Sequence, residues 1–155
     1  MISLIKRYID KYLEKRNSKR LLGLVSKIGK DCIFYRGSNI SLLFGSTKND
    51  ILIGNRFWLS GALVSEFGGK ISIGDYCYIQ SNSVIGAVDS VTIGDYTAIA
   101  SNVTIIDNNN HPVQPDDRKI QQHSVSGDIL RSWKYADSKP IVIGENVWIG
   151  AFKNK

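Results

Sequence analysis

The sequence predicts a mainly β protein coiled as a parallel solenoid of short strands, on three observations. A five-residue motif recurs as Ile51-Leu52-Ile53-Gly54-Asn55, Ile71-Ser72-Ile73-Gly74-Asp75, Val91-Thr92-Ile93-Gly94-Asp95 and Ile141-Val142-Ile143-Gly144-Glu145. Its first three copies return at intervals of 20 residues, through Ile53, Ile73 and Ile93. Within those intervals an aliphatic residue returns every six positions, in the series Ile73, Ile79, Ile85 and Ile93, Ile99, Ile105. A fixed return of this kind is the mark of stacked structural repeats.

Before the repeats, Ile2, Ile5, Ile9, Tyr12 and Leu13 fall at three- and four-residue spacing, with Lys6, Arg7, Lys11, Lys15 and Arg16 mainly on the other side. That spacing predicts an amphipathic helix. Its apolar stripe is expected either to pack on the rest of the protein or a sister subunit, or to lie on an anionic membrane surface. Asn17 to Arg20 read as a break, followed by a second short helix through Leu21, Leu22, Leu24, Val25 and Ile28 that Gly29 ends. Residues 1–30 thus form a basic helical segment, and 31–155 the solenoid domain.

In that domain a six-residue step corresponds to one flat strand and one corner. Three steps close a triangular coil of about 18 residues, stacked on the next at about 4.8 Å. Both aliphatics of each doublet should point inward and the residue between them outward. The glycine suits a corner needing an unusual backbone angle or a close approach, and the polar residue after it should face solvent. The coil at Ile53 and Leu59 looks weaker, because Ser65 occupies the third aliphatic position. An antiparallel sandwich would not require a constant 20-residue return with glycine at one phase.

The rhythm stops after Ile105 and resumes at Pro140. Ile93 and Ile143 are 50 residues apart, about 30 more than one coil consumes. The excursion, at about 106–140, holds Asp107, His111, Pro112, Pro115, Arg118, His123, Trp133 and Tyr135. A long departure from a regular scaffold is commonly functional.

Charge and cysteine usage narrow the function classes. The net charge of +6 is concentrated at the front: residues 1–36 carry ten Lys/Arg against three Asp/Glu, hence +7, which leaves −1 for the remainder. A nucleic-acid binder would spread basic groups over a docking face, so no nucleic-acid partner is expected. Cys32 and Cys77 have neither metal-ligand nor redox-pair spacing, and ordinary packing as reduced thiols is their expected role. No apolar run approaches the length of a membrane span, and the N-terminus lacks the pattern of a secretory signal, which points to a cytoplasmic protein, peripheral at most on the inner membrane face.

The stretch Ile93-Gly94-Asp95-Tyr96-Thr97-Ala98-Ile99-Ala100-Ser101-Asn102-Val103-Thr104-Ile105, then Asn110-His111-Pro112-Val113, then Pro140 through Trp148-Ile149-Gly150-Ala151, resembles the maltose and galactoside O-acetyltransferases. It is also similar to their hexapeptide-repeat relatives that decorate bacterial surface polysaccharides. The resemblance implies a left-handed parallel β-helix, a homotrimer with active sites between subunits, acetyl-CoA as co-substrate, and a hydroxyl of a sugar or polysaccharide precursor as acceptor. It implies His111 as general base, Asn82, Asp89 and Asp107 as acceptor-binding residues, and Ala100, Trp148, Gly150 and Ala151 along the CoA arm. Asp107 has three readings: holding the imidazole tautomer, contacting the sugar, or forming a turn.

The chemistry agrees, since a sugar hydroxyl is a poor nucleophile and imidazole titrates near neutral pH. No metal is expected: a zinc-dependent enzyme on the same fold would need three histidines, and the chain has only His111 and His123. Relative to the resembled family the chain is expected to be C-terminally truncated, so an inactive scaffold lacking a complete CoA site is the alternative to the enzyme.

Overall fold

The computed structural model describes residues 2–151, with side chains from residue 4 onward. The tail from Phe152 to Lys155 and the side chain of Ile2, both of which figure in the sequence expectations, lie outside the described residues.

One helix, α1 (Ile2–Leu22), precedes the strands. The first coil is β1 (Lys27–Ile28), β2 (Ile33–Phe34) and β3 (Asn39–Leu43). The second is β4 (Ile51–Ile53), β5 (Trp58–Leu59) and β6 (Ala62–Glu66). The third is β7 (Lys70–Ile73), β8 (Tyr78–Ile79) and β9 (Val84–Ala87). The fourth is β10 (Ser90–Ile93), β11 (Ala98–Ile99) and β12 (Thr104–Ile106). After the excursion, which contains α2 (Pro115–His123), the coil resumes as β13 (Ile141–Ile143) and β14 (Trp148–Ile149).

Strands of equal rank pair in parallel and form three sheets: β1-β4-β7-β10-β13, β2-β5-β8-β11-β14 and β3-β6-β9-β12. The result is a left-handed parallel β-helix. Val91 pairs with Ile71 and with Ile141, and Ile93 with Ile73 and Ile143, so the doublets stack in register. Ile51, Ile53, Ile71, Ile73, Val91 and Ile93 are all buried, with Phe34, Leu59, Leu63, Ile79, Ile85 and Ile99 filling the other two sides of the interior.

The glycine of each motif marks a close approach. A Cβ on Gly54 would stand 2.6 Å from the Gly74 carbonyl carbon, and one on Gly94 2.6 Å from that of Gly144. The left-handed backbone falls two residues later, on Arg56, Tyr76, Tyr96 and Asn146, with φ of 53°, 57°, 57° and 58°. The polar residue between glycine and this position does not simply face solvent. Asp75 Oδ1 accepts the Asn55 N–H at 2.7 Å, and Asp95 Oδ1 accepts the Asp75 N–H at 2.7 Å. Corner carboxylates therefore satisfy backbone donors one coil back, where no strand ladder reaches them. The Asn55 N–H, aided by the Asn55 amide, holds the Asp75 carboxyl below its ordinary value.

Counting in sixes misplaces one core residue. Leu63, not Ser65, stacks beneath Ile85, because the corner before β6 is only Ser60-Gly61 whereas the next coil uses Gln80 to Ser83. Ser65 still points inward, opposite Ala87, and its hydroxyl donates to the Gly69 carbonyl at 2.6 Å and pairs with Ser46 Oγ at 2.9 Å. A buried hydroxyl with such partners leaves no unmet polar group.

The N-terminal segment departs from expectation twice. Asn17–Arg20 do not break the helix: Asn17 Nδ2 donates to the Ser38 carbonyl at 3.0 Å and Ser18 Oγ to the Phe34 carbonyl at 2.9 Å. These polar side chains cover carbonyls at the open end of the first coil, which an edge strand would otherwise expose. The second helix does not form either. Leu21 and Val25 are buried against the first coil and close the bottom of the prism, while Lys27 and Ile28 already pair with Leu52 and Ile53. The β-helix thus begins before residue 31. The apolar stripe of α1 does not pack on the body: Leu4, Ile5, Tyr8, Ile9 and Tyr12 are exposed.

Cys32 and Cys77 are free thiols. Their Sγ atoms lie 3.2 Å from the Gly54 and Gly94 carbonyls of the next coil, the place where Thr97 Oγ1 donates to the Gly144 carbonyl at 3.1 Å. Burial pushes both thiols up, which suits packing rather than thiolate chemistry.

Candidate functional site

The excursion leaves and re-enters the prism at one corner, between the third and first sheets. Asn108 and Ser138 form an antiparallel bridge, Asn109 N–H donates to the Asp137 carbonyl at 3.0 Å, and Lys139 N–H to the Asp107 carbonyl at 2.8 Å. This stem brings the ends of a loop of some thirty residues together. A cleft of about 630 Å³, lined by Asp107, Asn108, Asn109, Asp137, Ser138 and Lys139 among others, opens beside it.

Asp107 is buried and carries the stem. Its carboxylate accepts the Val88 N–H at 3.0 Å and the Asp89 N–H at 2.7 Å from the corner one coil earlier, and the Asn108 amide at 3.2 Å. It repeats the corner-capping device of Asp75 and Asp95. Of the three roles open to it, the hydrogen bonds match the turn-forming one, and among the described residues none joins it to His111. Asp89, exposed, sits at the same corner with its backbone held by Asp107.

Beyond the stem the chain folds back over the outer face of the third sheet. Trp133 lies against Gly86, where an added Cβ would come within 2.6 Å of the indole ring. The indole N–H donates to Asn110 Oδ1 at 2.8 Å, and Asn110 has left-handed backbone with φ of 64°. The Trp133 N–H donates to Glu66 Oε2 at 3.0 Å. On the other flank Arg118 Nη1 donates to the Val113 carbonyl, a bond internal to the loop. The Asn110-His111-Pro112-Val113 segment is therefore fixed from both sides, while His111 itself is exposed. Its N–H donates to the Asn109 carbonyl at 2.7 Å; among the described residues its imidazole makes no hydrogen bond. His123, at the end of α2, is likewise exposed.

Trp133, named in the excursion without a role, is the side chain that holds Asn110, beside His111. The signal was present at Gly86: a glycine inside a strand marks close approach of another group.

The remaining expected site residues lie on another edge. Asn82, with φ of 60°, donates to Asn102 Oδ1 at 3.3 Å at the corner between the second and third sheets. Ala100 and Gly150 follow the paired residues Ile99 and Ile149 at that same corner, and Ala151 follows. Trp148 projects outward from the second sheet beside Ala98 and is 78% exposed. Within one chain Asp107 and Asp89 share one corner, with His111 four residues further along the loop, and Asn82, Ala100, Gly150 and Ala151 lie at another.

Glu66 is buried beneath Trp133, and burial pushes its carboxyl up, an effect the Trp133 N–H partly opposes. A raised carboxyl favours the folded state when protonated. Its contribution is complete below the ordinary glutamate range and is lost as pH rises through the raised value. Glu66→Gln should therefore be more stable than the parent at neutral pH, with the gap closing as pH falls toward about 4. Thermal melts across pH check this; a variant less stable at every pH contradicts it.

No group of three metal-ligating side chains occurs among the described residues. No family model and no curated protein matches the sequence. Among solved structures the chain is similar to a variant of AntD, an N-acyltransferase from Bacillus cereus, in complex with dTDP-4-amino-4,6-dideoxyglucose and coenzyme A. The likeness has a TM-score of 0.56 at 19% identity, covering 88% of this chain and 65% of that one. The chain thus spans somewhat less than two thirds of AntD's length, and at this identity the two share a fold, a parallel β-helix.

Proposed function

We propose that this chain is an acyltransferase that moves an acetyl group from acetyl-CoA to a hydroxyl of a sugar or polysaccharide precursor, with His111 as general base. The observation that carries the reading is a solvent-facing imidazole on a segment that Trp133 and Arg118 hold fixed at a β-helix corner. The AntD complex, which holds a sugar nucleotide and coenzyme A on the same fold, supports it.

The imidazole takes the acceptor hydroxyl's proton as the oxygen attacks the thioester carbonyl. The tetrahedral oxyanion collapses, the C–S bond breaks, and the same proton goes to the departing CoA sulfur. Backbone N–H groups at the corner are the natural donors to the oxyanion. A pantetheine arm would run past Ala100, Gly150 and Ala151 beside Trp148, along the corner after β11 and β14. Because these residues and Asn82 sit on a different edge from His111, a complete site needs two chains. A homotrimer that sets the corner of one protomer against the His111 loop of its neighbour satisfies this, with Asp89 nearest the acceptor.

AntD's N-acyl chemistry favours a second reading, in which the acceptor is the amine of an amino sugar. The same base serves a protonated amine equally. Calorimetry with acetyl-CoA, followed by acetyl transfer to a panel of sugars and amino sugars, tests both. Micromolar binding is expected; absence of binding would leave a scaffold without catalytic function.

A further inference from the structure

The exposed front of α1 has no counterpart in the acyl-transfer reading. Among the described residues α1 touches the β-helix through Asn17, Ser18 and Leu21, with Asp10 reaching Arg36 at 2.5 Å. At 100° per residue, Leu4, Ile5, Tyr8, Ile9 and Tyr12 fall within an arc of about 140°, roughly opposite the side that carries Asp10, Leu13, Asn17 and Leu21. Leu4 is 69% and Tyr8 77% exposed. Lys15, Arg16 and Lys19 continue the same outward strip, and all three are exposed. Lys11 borders it.

We propose that this strip is a membrane-docking surface: the first three turns of α1 insert Leu4, Ile5, Tyr8, Ile9 and Tyr12 at the headgroup boundary of an anionic bilayer, and Lys15, Arg16 and Lys19 bind lipid phosphates. Charge decides between this occupant and a second copy of the chain. The acidic residues of α1 are Asp10, paired with Arg36, and half-buried Glu14, both away from the strip. The same face on another copy has no carboxylate to meet these cations, whereas anionic headgroups supply one partner for each. Long basic side chains at the border of an apolar face can also bury their stems while keeping the charge at phosphate level. No helix among the described residues is long and apolar enough to cross a membrane, so this is attachment to one leaflet.

Flotation of the full chain with vesicles of phosphatidylcholine, alone or containing phosphatidylglycerol, tests the proposal. Binding should appear with the anionic lipid and weaken as salt rises. Lys15→Glu/Arg16→Glu/Lys19→Glu should weaken it by about 100-fold, since each basic group near an anionic surface contributes about fivefold. Ile5→Asp/Ile9→Asp should abolish it, with thermal stability unchanged because both side chains face outward. Absence of vesicle binding overturns the proposal, as does equal binding to neutral vesicles. So does sedimentation in which Ile5→Asp/Ile9→Asp dissolves an oligomer that does not bind lipid. None of these outcomes depends on acetyl transfer.

Discussion

Replacing His111 with alanine should lower acetyl transfer by at least about 100-fold, the lower range for a positioned general base. The loss belongs in kcat, because the imidazole acts on a proton that moves only as the bond forms. The fold should be unaffected. His111 is exposed, and among the described residues its one hydrogen bond runs from the backbone N–H, which alanine keeps. Circular dichroism and the melting curve should match those of the parent. His123→Ala is the internal control: it changes an exposed imidazole at the end of α2 and should leave turnover within about twofold. Equal rates for His111→Ala and the parent would remove the residue from the mechanism and leave the β-helix without an identified base.

A large loss of stability should follow Gly54→Val. The first added carbon would stand 2.4 Å from Asp75 Oδ1, 2.6 Å from the Gly74 carbonyl carbon and 2.7 Å from its oxygen. Two of these are backbone atoms of the next coil, whose distance is set by parallel pairing on both sides of the corner, so they cannot retreat singly. Displacing Asp75 would also strip the Asn55 N–H of its acceptor. Overpacking of this kind costs about 3 kcal/mol or more, and an orphaned donor adds about 1 kcal/mol. Chemical denaturation of the purified variant measures the loss; a midpoint equal to the parent's would show that the corner yields.

Legibility in the sequence followed regularity. The inward doublets at Ile71/Ile73 and Val91/Ile93 were readable because strand alternation and parallel stacking act at every coil. The excursion was readable as a gap in that rhythm. Leu63 was not, because the six-residue count assumes equal corners and the Ser60-Gly61 corner is two residues shorter than the next. The residues Asn17 to Arg20 looked like a break because polar residues favour turns, yet their partners are carbonyls of a coil end that no local pattern shows. An apolar stripe on α1 announces one apolar face but not what covers it, and the face is turned away from the body. At the site, the His-Pro loop was visible by resemblance, whereas the hold of Trp133 on Asn110 is a contact across 23 residues made on the surface of a sheet.

The stem at Asn108 and Ser138 separates the scaffold from the loop that bears His111. Because the loop starts and finishes at neighbouring points of one corner, its length is invisible to the stacking of β13 on β10. Residues between the two ends can be replaced, lengthened or trimmed while the interior stays filled. Whatever the loop contacts can then change by rewriting one appendage, and each trial leaves the supporting column standing.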